Sequence, residues 1–458
     1  MSAATASPFR IELGATLRLA LPLALANLLQ MAVYASDVMF VARLGEQALA
    51  ASSLAVSIFA LINWGFLGLT GAAAPLIAAE LGHRRHSVRE VRQTLRMALW
   101  LSVGCAAVGM IACQGGEALM LATGQDPAIA AMAQHFLSIL SLALLPMIFS
   151  NVLRVFVSAM GRPVFATLIT ALAILVNVSG NYVLVFGHFG APALGLTGSA
   201  LSSLITSLIT LLAYILAIRS DRRMRRCHIW GRFWRPEWKR LKEMVRLGIP
   251  IALTVMAEGG LFGSAAYLMG RIDVAQLAAH TIALQVAAIF FQIPYGIGQA
   301  ATIRVGFHYG AGDAANAGRA GWAAFWAGMV CQVLSAAIML FAPVLVLSAY
   351  VDVHDPANAG LVSIARTFLL VAAAFQLFDG VQTIMAGALR GLQDTKWPMI
   401  IALSGYWLVG FLIAAWLGLG TSLEGLGVWI GLMAGLVVVA VLLLWRWHKR
   451  EDLGLTPA

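Results

Sequence analysis

Three carboxylates lie where this chain is otherwise apolar. Glu258 sits in LTVMAEGGLFG, Leu253 to Gly263; Asp379 sits in FQLFDGVQTIM, Phe375 to Met385; and Asp37 sits in VYASDVMFV, Val33 to Val41. Shifting the surrounding apolar runs by a few residues does not bring any of the three to a boundary. A charge at a bilayer centre costs at least about 2.5 kcal/mol on insertion scales, so each must be protonated, paired, hydrated or cation-bound for part of a working cycle. Glu258 lies about 21 Å and Asp379 about 18 Å from the same end of their helices, at 1.5 Å per residue, which predicts a pair at similar depth. No Lys or Arg is expected at that depth. Such a pair can hold a proton and release it when an organic cation or Na⁺ arrives, which is the physical basis of antiport.

Asp37 belongs to a different environment. Asn177 and Asn181 stand at i and i+4 on one helix face, and they offer amide groups at nearly its depth. Asp37, Asn177 and Asn181 are therefore expected to form an oxygen cluster able to hold Na⁺ or a proton, with helix-to-helix hydrogen bonding as the competing use of the asparagines. Gln285, Gln292, Gln376 and Phe262 are candidates to line a cavity. The 18 methionines and 21 phenylalanines would suit flat, apolar cations through adaptable packing and cation-π contact.

The elements that must position these groups are membrane spans. Of 458 residues, 61% are hydrophobic and 11% charged, and the mean hydropathy is +0.87, far from the composition of a soluble enzyme. Runs such as Met97–Gly116, Val274–Ile303 and Gly425–Trp445 contain no Asp, Glu, Lys or Arg, and they are continuous rather than alternating, which excludes a closed barrel. Apolar windows and their polar breaks predict an all-α polytopic membrane protein with twelve transmembrane helices. The spans fall near residues 15–42, 52–80, 93–115, 128–157, 163–187, 194–219, 244–270, 277–308, 318–347, 358–389, 397–419 and 424–446.

With both termini cytoplasmic, only Arg43, Arg271 and Arg366 of the 30 basic residues fall toward the other side. The net charge of +10 then reflects topology and the lipid surface and needs no nucleic-acid partner. Four scattered cysteines without ligand spacing predict no disulfide framework and no structural metal; His83 and His86 read as part of a basic loop. The first residues lack a signal-peptide pattern and are read as retained.

Sliding the chain against itself exposes a repeat. Pro22 meets Pro250, Arg43 meets Arg271, Gly68 meets Gly296 and Gly82 meets Gly310, all in one ungapped register. The expected division is an N-lobe over 1–218 (spans 1–6), a basic cytoplasmic linker over 219–243 and a C-lobe over 244–458 (spans 7–12). An even number of spans per half relates two six-helix lobes by a pseudo-two-fold axis along the membrane normal.

Three separated motifs carry a family resemblance: LVNVSGNYVLVFG (175–187), AAHTIALQVAAIFFQIPYGIGQAATIRVGFHYGAGD (278–313) and GALRGLQDTKWPMIIALSGYW (387–407). From about residue 12 to 447 the chain resembles the multidrug and toxic compound extrusion (MATE) transporters, in particular the bacterial NorM-like branch. The resemblance implies export of cationic, amphipathic drugs and dyes, fluoroquinolone-like compounds among them, from the cytoplasm by a monomer in the bacterial inner membrane, driven by H⁺ or Na⁺ entry and needing no cofactor. It matches Asp37, Asn177 and Asn181 to an N-lobe cation site, and Glu258 and Asp379 to an acidic C-lobe site. Na⁺-coupled members often place tyrosine oxygens near the C-lobe acids, whereas Phe262, Phe291 and Phe375 are the nearby aromatics here, which favours H⁺ over Na⁺.

The expected function is thus a secondary antiporter working by alternating access. A lipid-linked sugar flippase of the same superfamily is the alternative; it would need basic cavity residues for a pyrophosphate. An enzyme is disfavoured because no nucleophile and base pair, phosphate cradle or metal spacing is present, and a channel because no filter-like signature is.

Overall fold

The computed structural model describes residues 7–83, 88–231 and 233–457. Residues 84–87, which hold much of the expected His/Arg loop including His86, lie outside the described residues. Among those described there is no strand.

In chain order the helices are α1 (Pro8–Ala42), α2 (Glu46–Thr70), α3 (Ala73–His83), α4 (Val88–Gln114), α5 (Gly116–Ala122), α6 (Pro127–Ser141), α7 (Leu144–Ala159), α8 (Val164–Phe186), α9 (Gly195–Ser220), α10 (Arg222–Arg225), α11 (Trp238–Ile272), α12 (Val274–Gly310), α13 (Ala314–Phe341), α14 (Pro343–Leu347), α15 (Ala359–Gly391), α16 (Lys396–Leu403), α17 (Leu412–Gly420) and α18 (Glu424–His448). A π-helix, Ser404–Phe411, joins α16 to α17. Among the described residues eleven stretches are long and apolar enough to cross a membrane, and α6 with α7, bent by 44°, gives a twelfth when the pair is counted as one span. The chain is an all-α polytopic membrane protein. Pro146 falls in the first turn of α7, where its missing N–H has no helical partner to lose.

Several acids at helix ends have a local reason to be there. The side chains of Asp126, Asp221, Asp273 and Asp313 accept hydrogen bonds from the first backbone N–H groups of α6, α10, α12 and α13. At Asp313, hydrogen bonds from the Asn316 backbone and side chain hold the carboxyl below its ordinary range. No such reason exists for Asp37, Glu258 or Asp379, which lie inside helices.

The chain forms two compact units. Of the described residues, one contains 25–81, 88–231 and 233–252, and the other contains 7–24, 82–83 and 253–457. The cuts thus fall inside α1 and α11, rather than at the lobe edges expected from the spans. Both helices are 35 residues long and both carry an internal proline, Pro22 or Pro250. The repeat explains how each is held. A methyl group on Gly68 of α2 would come 2.8 Å from Ala252 Cα, and one on Gly296 of α12 would come 2.7 Å from the Ala24 backbone N. Gly68 corresponds to Gly296 and Ala24 to Ala252, so the same close helix approach occurs once in each unit. Where lipid surrounds the helices, backbone approach at small residues is a main source of association.

The first unit's core includes Leu95, Leu99, Leu153 and Phe156 together with Met224, Cys227 and Ile229 from the segment expected to be a linker. That segment is folded onto the core of its unit.

Candidate functional site

Asp37 projects from the C-terminal part of α1, just over one turn before its end, toward α8 and α9. Its Oδ1 accepts from Asn177 Nδ2 at 2.9 Å and from Asn181 Nδ2 at 2.7 Å, and its Oδ2 accepts from Ser203 Oγ at 3.2 Å. Ser36 Oγ donates to Asn177 Oδ1 at 2.6 Å. The structure therefore brings Asp37, Asn177 and Asn181 together. As oriented, both amides turn N–H groups to the carboxylate, the arrangement that serves an anion rather than a metal. Turning either amide would offer oxygens instead. Asn181 Oδ1 is buried and has no partner among the described residues. Tight α8–α9 packing fixes the cluster: a methyl group at Gly180 would come 2.5 Å from Ser202 Oγ, and that hydroxyl donates to the Asn177 carbonyl at 3.1 Å. Ser36 and Ser203 escaped the sequence reading, because serine is common in these helices and only the fold singles out these two.

The second cluster lies in the other unit and is held by a residue the sequence reading did not select. Gln382 of α15 donates through Nε2 to Glu258 Oε1 of α11 at 3.1 Å and to Asp379 Oδ1 at 3.0 Å. Its Oε1 accepts from the Tyr406 hydroxyl of the π-helix. Asp379 and Gln382 are each 4% exposed and Tyr406 is 1% exposed. The structure thus brings Glu258 and Asp379 together, and a single amide joins them. Spacing carried a signal, since Gln382 follows Asp379 by three residues and so shares its helix face.

The π-helix gives this site its geometry. Gly405 and Gly410 let it pack closely on α18: a methyl group on Gly405 would meet Val439 Cγ2 at 2.3 Å, and one on Gly410 would meet Gly435 Cα at 3.3 Å. On its other side Tyr406 reaches Gln382, and Trp407 rests where Gly260 has no side chain, 2.9 Å from the position of a Cβ there. A widened turn of this kind inside an α-helix frequently marks a functional site.

Two expectations about this site change. Arg390, three turns beyond Asp379 on α15, is near enough to act electrostatically on Glu258, Tyr295 and Tyr406, so a positive charge does belong to this neighbourhood. Tyrosine oxygens are also closer than the phenylalanines suggested, through Tyr406. Phe262 and Phe375 form an edge-on pair at 6.1 Å, and Phe375 continues to Trp429 at 5.8 Å. Phe262 thus borders the packed aromatic core.

The glutamines divide. Gln376 is 0% exposed; its Nε2 donates to the Ala287 carbonyl at 2.7 Å, while its own carbonyl accepts from Gln332 Nε2 at 2.6 Å. It ties α15 to α12 and α13 and lines no cavity, because both ends of its peptide and side chain are consumed in helix-to-helix bonds. Gln292 donates to Ala288 of its own helix at 3.0 Å, and Gln285 is exposed. Among the described residues no three His, Cys, Asp or Glu side chains converge as a metal site.

A bundle of membrane-crossing helices with carboxylates set within its spans is the architecture of a secondary transporter. The sequence profile of the MatE family matches residues 22–183 and again 250–416, two matches that begin at the paired prolines of the repeat. The chain belongs to the MatE family of membrane transporters. It is 44% identical to a probable multidrug resistance protein NorM of Mesorhizobium japonicum, over 97% of this chain and 96% of that one, and 41% identical to the protein so named in Brucella suis, over 96% and 93%. Among solved structures, an outward-facing conformation of a multidrug resistance MATE family transporter of the MOP superfamily aligns over 98% of this chain and 99% of its own with a TM-score of 0.85, at 20% identity.

Proposed function

We propose that this protein exports cationic, amphipathic small molecules, drugs and dyes among them, in exchange for H⁺, and that it does so in the bacterial inner membrane with both termini in the cytoplasm. The observation that carries this reading is the Glu258–Gln382–Asp379 cluster, two carboxylates sharing one amide inside membrane-crossing helices. The names borne by relatives at 41–44% identity support the substrate class.

In this cycle the paired carboxylates attract an organic cation from the cytoplasmic side, and a proton arriving from outside displaces it. Asp37, met only by neutral donors, serves as a second proton-exchanging group. H⁺ is favoured over Na⁺ because the amides beside Asp37 present N–H rather than oxygen, and because Tyr406 commits its hydroxyl proton to Gln382. Exchange of one monovalent cation for one proton moves no net charge, whereas two protons per cation would gain about 2.3 kcal/mol per 100 mV.

Purified protein in liposomes loaded with a fluorescent organic cation tests the reading. A proton gradient alone, at clamped potential, is expected to drive dye movement, and Glu258→Gln and Asp379→Asn to abolish it. Dye movement driven only by a sodium gradient would replace the coupling ion. No response to either gradient, for several dyes and with orientation verified, would defeat the antiporter and favour the flippase.

A further inference from the structure

The segment between α9 and α11 has a composition unlike the rest of the chain. Residues 219–243 hold ten basic and three acidic residues, so seven of the chain's ten net positive charges fall within 25 positions. The structure shows it as a folded cap. Met224, Cys227 and Ile229 are 0%, 3% and 2% exposed and pack with Leu95, Leu99 and Ile218. Trp100 Nε1 donates to the Phe233 carbonyl at 2.9 Å, and Arg96 pairs with Glu237 at 3.3 Å. Asp221 caps α10 and pairs with Arg162 at 3.2 Å, and Arg240 pairs with Glu80 at 2.5 Å.

With those anchors satisfied, the outer face is left strongly basic. Arg222, Arg223, Arg225, Arg226, Arg235, Lys239 and Lys242 are exposed, and among the described residues none has a carboxylate within the 4.0 Å of an ion pair. Like charges are also crowded: Arg92 and Arg235 both act on Arg96, which has Glu237 as its acid. Among these cations stand Trp234 and Trp238, 74% and 67% exposed, with Lys242 one turn from Trp238 on α11. Exposed indoles interleaved with unneutralised basic groups match a surface that meets phosphates and a partly apolar layer together. Connectivity says what that layer is. The cap runs directly from the end of one membrane-crossing helix, Gly195–Ser220, into the start of another, Trp238–Ile272, so chain continuity holds it at the bilayer surface.

We propose that this cap binds the headgroups of anionic phospholipids in the leaflet it adjoins, its arginines and lysines on the phosphates and Trp234 and Trp238 set among the glycerol and upper acyl groups. The proposal does not depend on which cation the transporter exports or which ion drives it. Each basic residue near an anionic surface contributes about 1 kcal/mol, so a few engaged side chains suffice for lipid selection.

The test uses the full chain in nanodiscs of phosphatidylcholine, with and without phosphatidylglycerol brominated near its headgroup. Native mass spectrometry is expected to show phosphatidylglycerol retained over phosphatidylcholine by roughly tenfold. The variant R222Q/R223Q/R225Q/R226Q should lose most of that preference, and the variant with lysine at the same four positions should keep it. In parallel, the brominated lipid should quench a share of the tryptophan emission that is missing from W234F/W238F. Equal retention of both lipids by the unaltered protein, or a preference untouched by the glutamine substitutions, overturns the proposal. Should the glutamine variant fail to insert, the quenching difference decides alone. Trp234 and Trp238 unquenched, with the protein dimerising, would give the surface to a second copy of this chain and overturn the lipid assignment.

Discussion

The hydrogen bonds around Asp37 allow charge and geometry to be separated by two substitutions. In Asp37→Asn the retained oxygen still accepts from Asn177 Nδ2 and Asn181 Nδ2, which lie 2.9 and 2.7 Å away, while the new amide donates to Ser203 Oγ. Every neighbour keeps a partner and only the charge is gone. Charge-assisted bonds are about twice as strong as neutral ones, so an ionised Asp37 would lose about 1 kcal/mol per bond, roughly 3 kcal/mol in all, and a protonated one almost nothing. Asp37→Ala is different in kind. Both asparagines are 0% exposed, and Asn177 Nδ2 loses its acceptor, whereas Asn181 Nδ2 still has the Asn177 carbonyl at 3.1 Å. One orphaned amide and one weakened one predict a loss of about 2–4 kcal/mol. Dye export in proteoliposomes should fall to background in both variants, and unfolding followed by fluorescence in detergent should rank alanine at or below asparagine. Normal export by Asp37→Asn would remove Asp37 from the transport machinery, and an alanine variant as stable as the unaltered protein would refute the network itself.

Gln382→Leu and Tyr406→Phe share one hydrogen bond, so a double-mutant cycle on stability should give a coupling of about 1 kcal/mol, and both should impair export; additive effects would mean that the bond does not form. Gln376→Leu should lose about 1–3 kcal/mol of stability through the broken side-chain bonds to Ala287 of α12 and Gln332 of α13, the backbone carbonyl at 376 keeping its own bond from Gln332, yet leave export per folded molecule unchanged; a selective loss of export would return Gln376 to the cavity. At Cys227 burial pushes the thiol above its ordinary range, so at neutral pH less thiolate forms, and the onset of alkylation should move to higher pH than for a free thiol. A polar maleimide should therefore label Cys227 slowly in the folded protein and readily after unfolding; fast labelling of the native state would show that 219–243 is an open linker.

The membrane class and the span count were readable because they depend on averages over about 20 residues, which local detail cannot disturb. Glu258, Asp379 and Asp37 were readable for a related reason: a carboxylate within an apolar membrane-crossing run has few explanations in lipid. What escaped was reciprocity. Gln382 and Tyr406 are unremarkable in sequence, and their roles arise because α11, α15 and the π-helix converge on one amide. Gln376 erred in the opposite direction, since an intramembrane glutamine is satisfied equally by a cavity or by a neighbouring backbone, and only the Ala287 and Gln332 contacts decide. No Lys or Arg is expected from the sequence at the depth of the acidic pair, yet Arg390, three turns along α15, lies within electrostatic reach of Glu258 on another helix.

The repeat constrains which helices build a site but not which residues do the chemistry. In the register that pairs Pro22 with Pro250, Asp37 falls on Ala265, Glu258 on Gln30 and Asp379 on Asn151, so no membrane carboxylate has an acidic counterpart. The scaffold is nevertheless reused: Asp37 and Glu258 come from the paired helices α1 and α11, and Asn177 falls on Gly405, the residue before Tyr406 in the π-helix. One fold therefore supplies two sites of different valence. A lone carboxylate that takes up one proton becomes neutral and keeps no attraction for a cation, whereas a pair that takes up one proton retains a negative charge. On the antiport reading this difference favours Glu258 and Asp379 as the groups that can hold an organic cation and a proton in the same cycle, and Asp37 as a group that can only exchange one for the other. Moving a second acid beside Asp37, by Ser203→Asp, should then change the stoichiometry of that site, measurable as protons released per dye bound, while leaving the Glu258 pair untouched. An unchanged proton count would mean that valence does not divide the labour between the two sites.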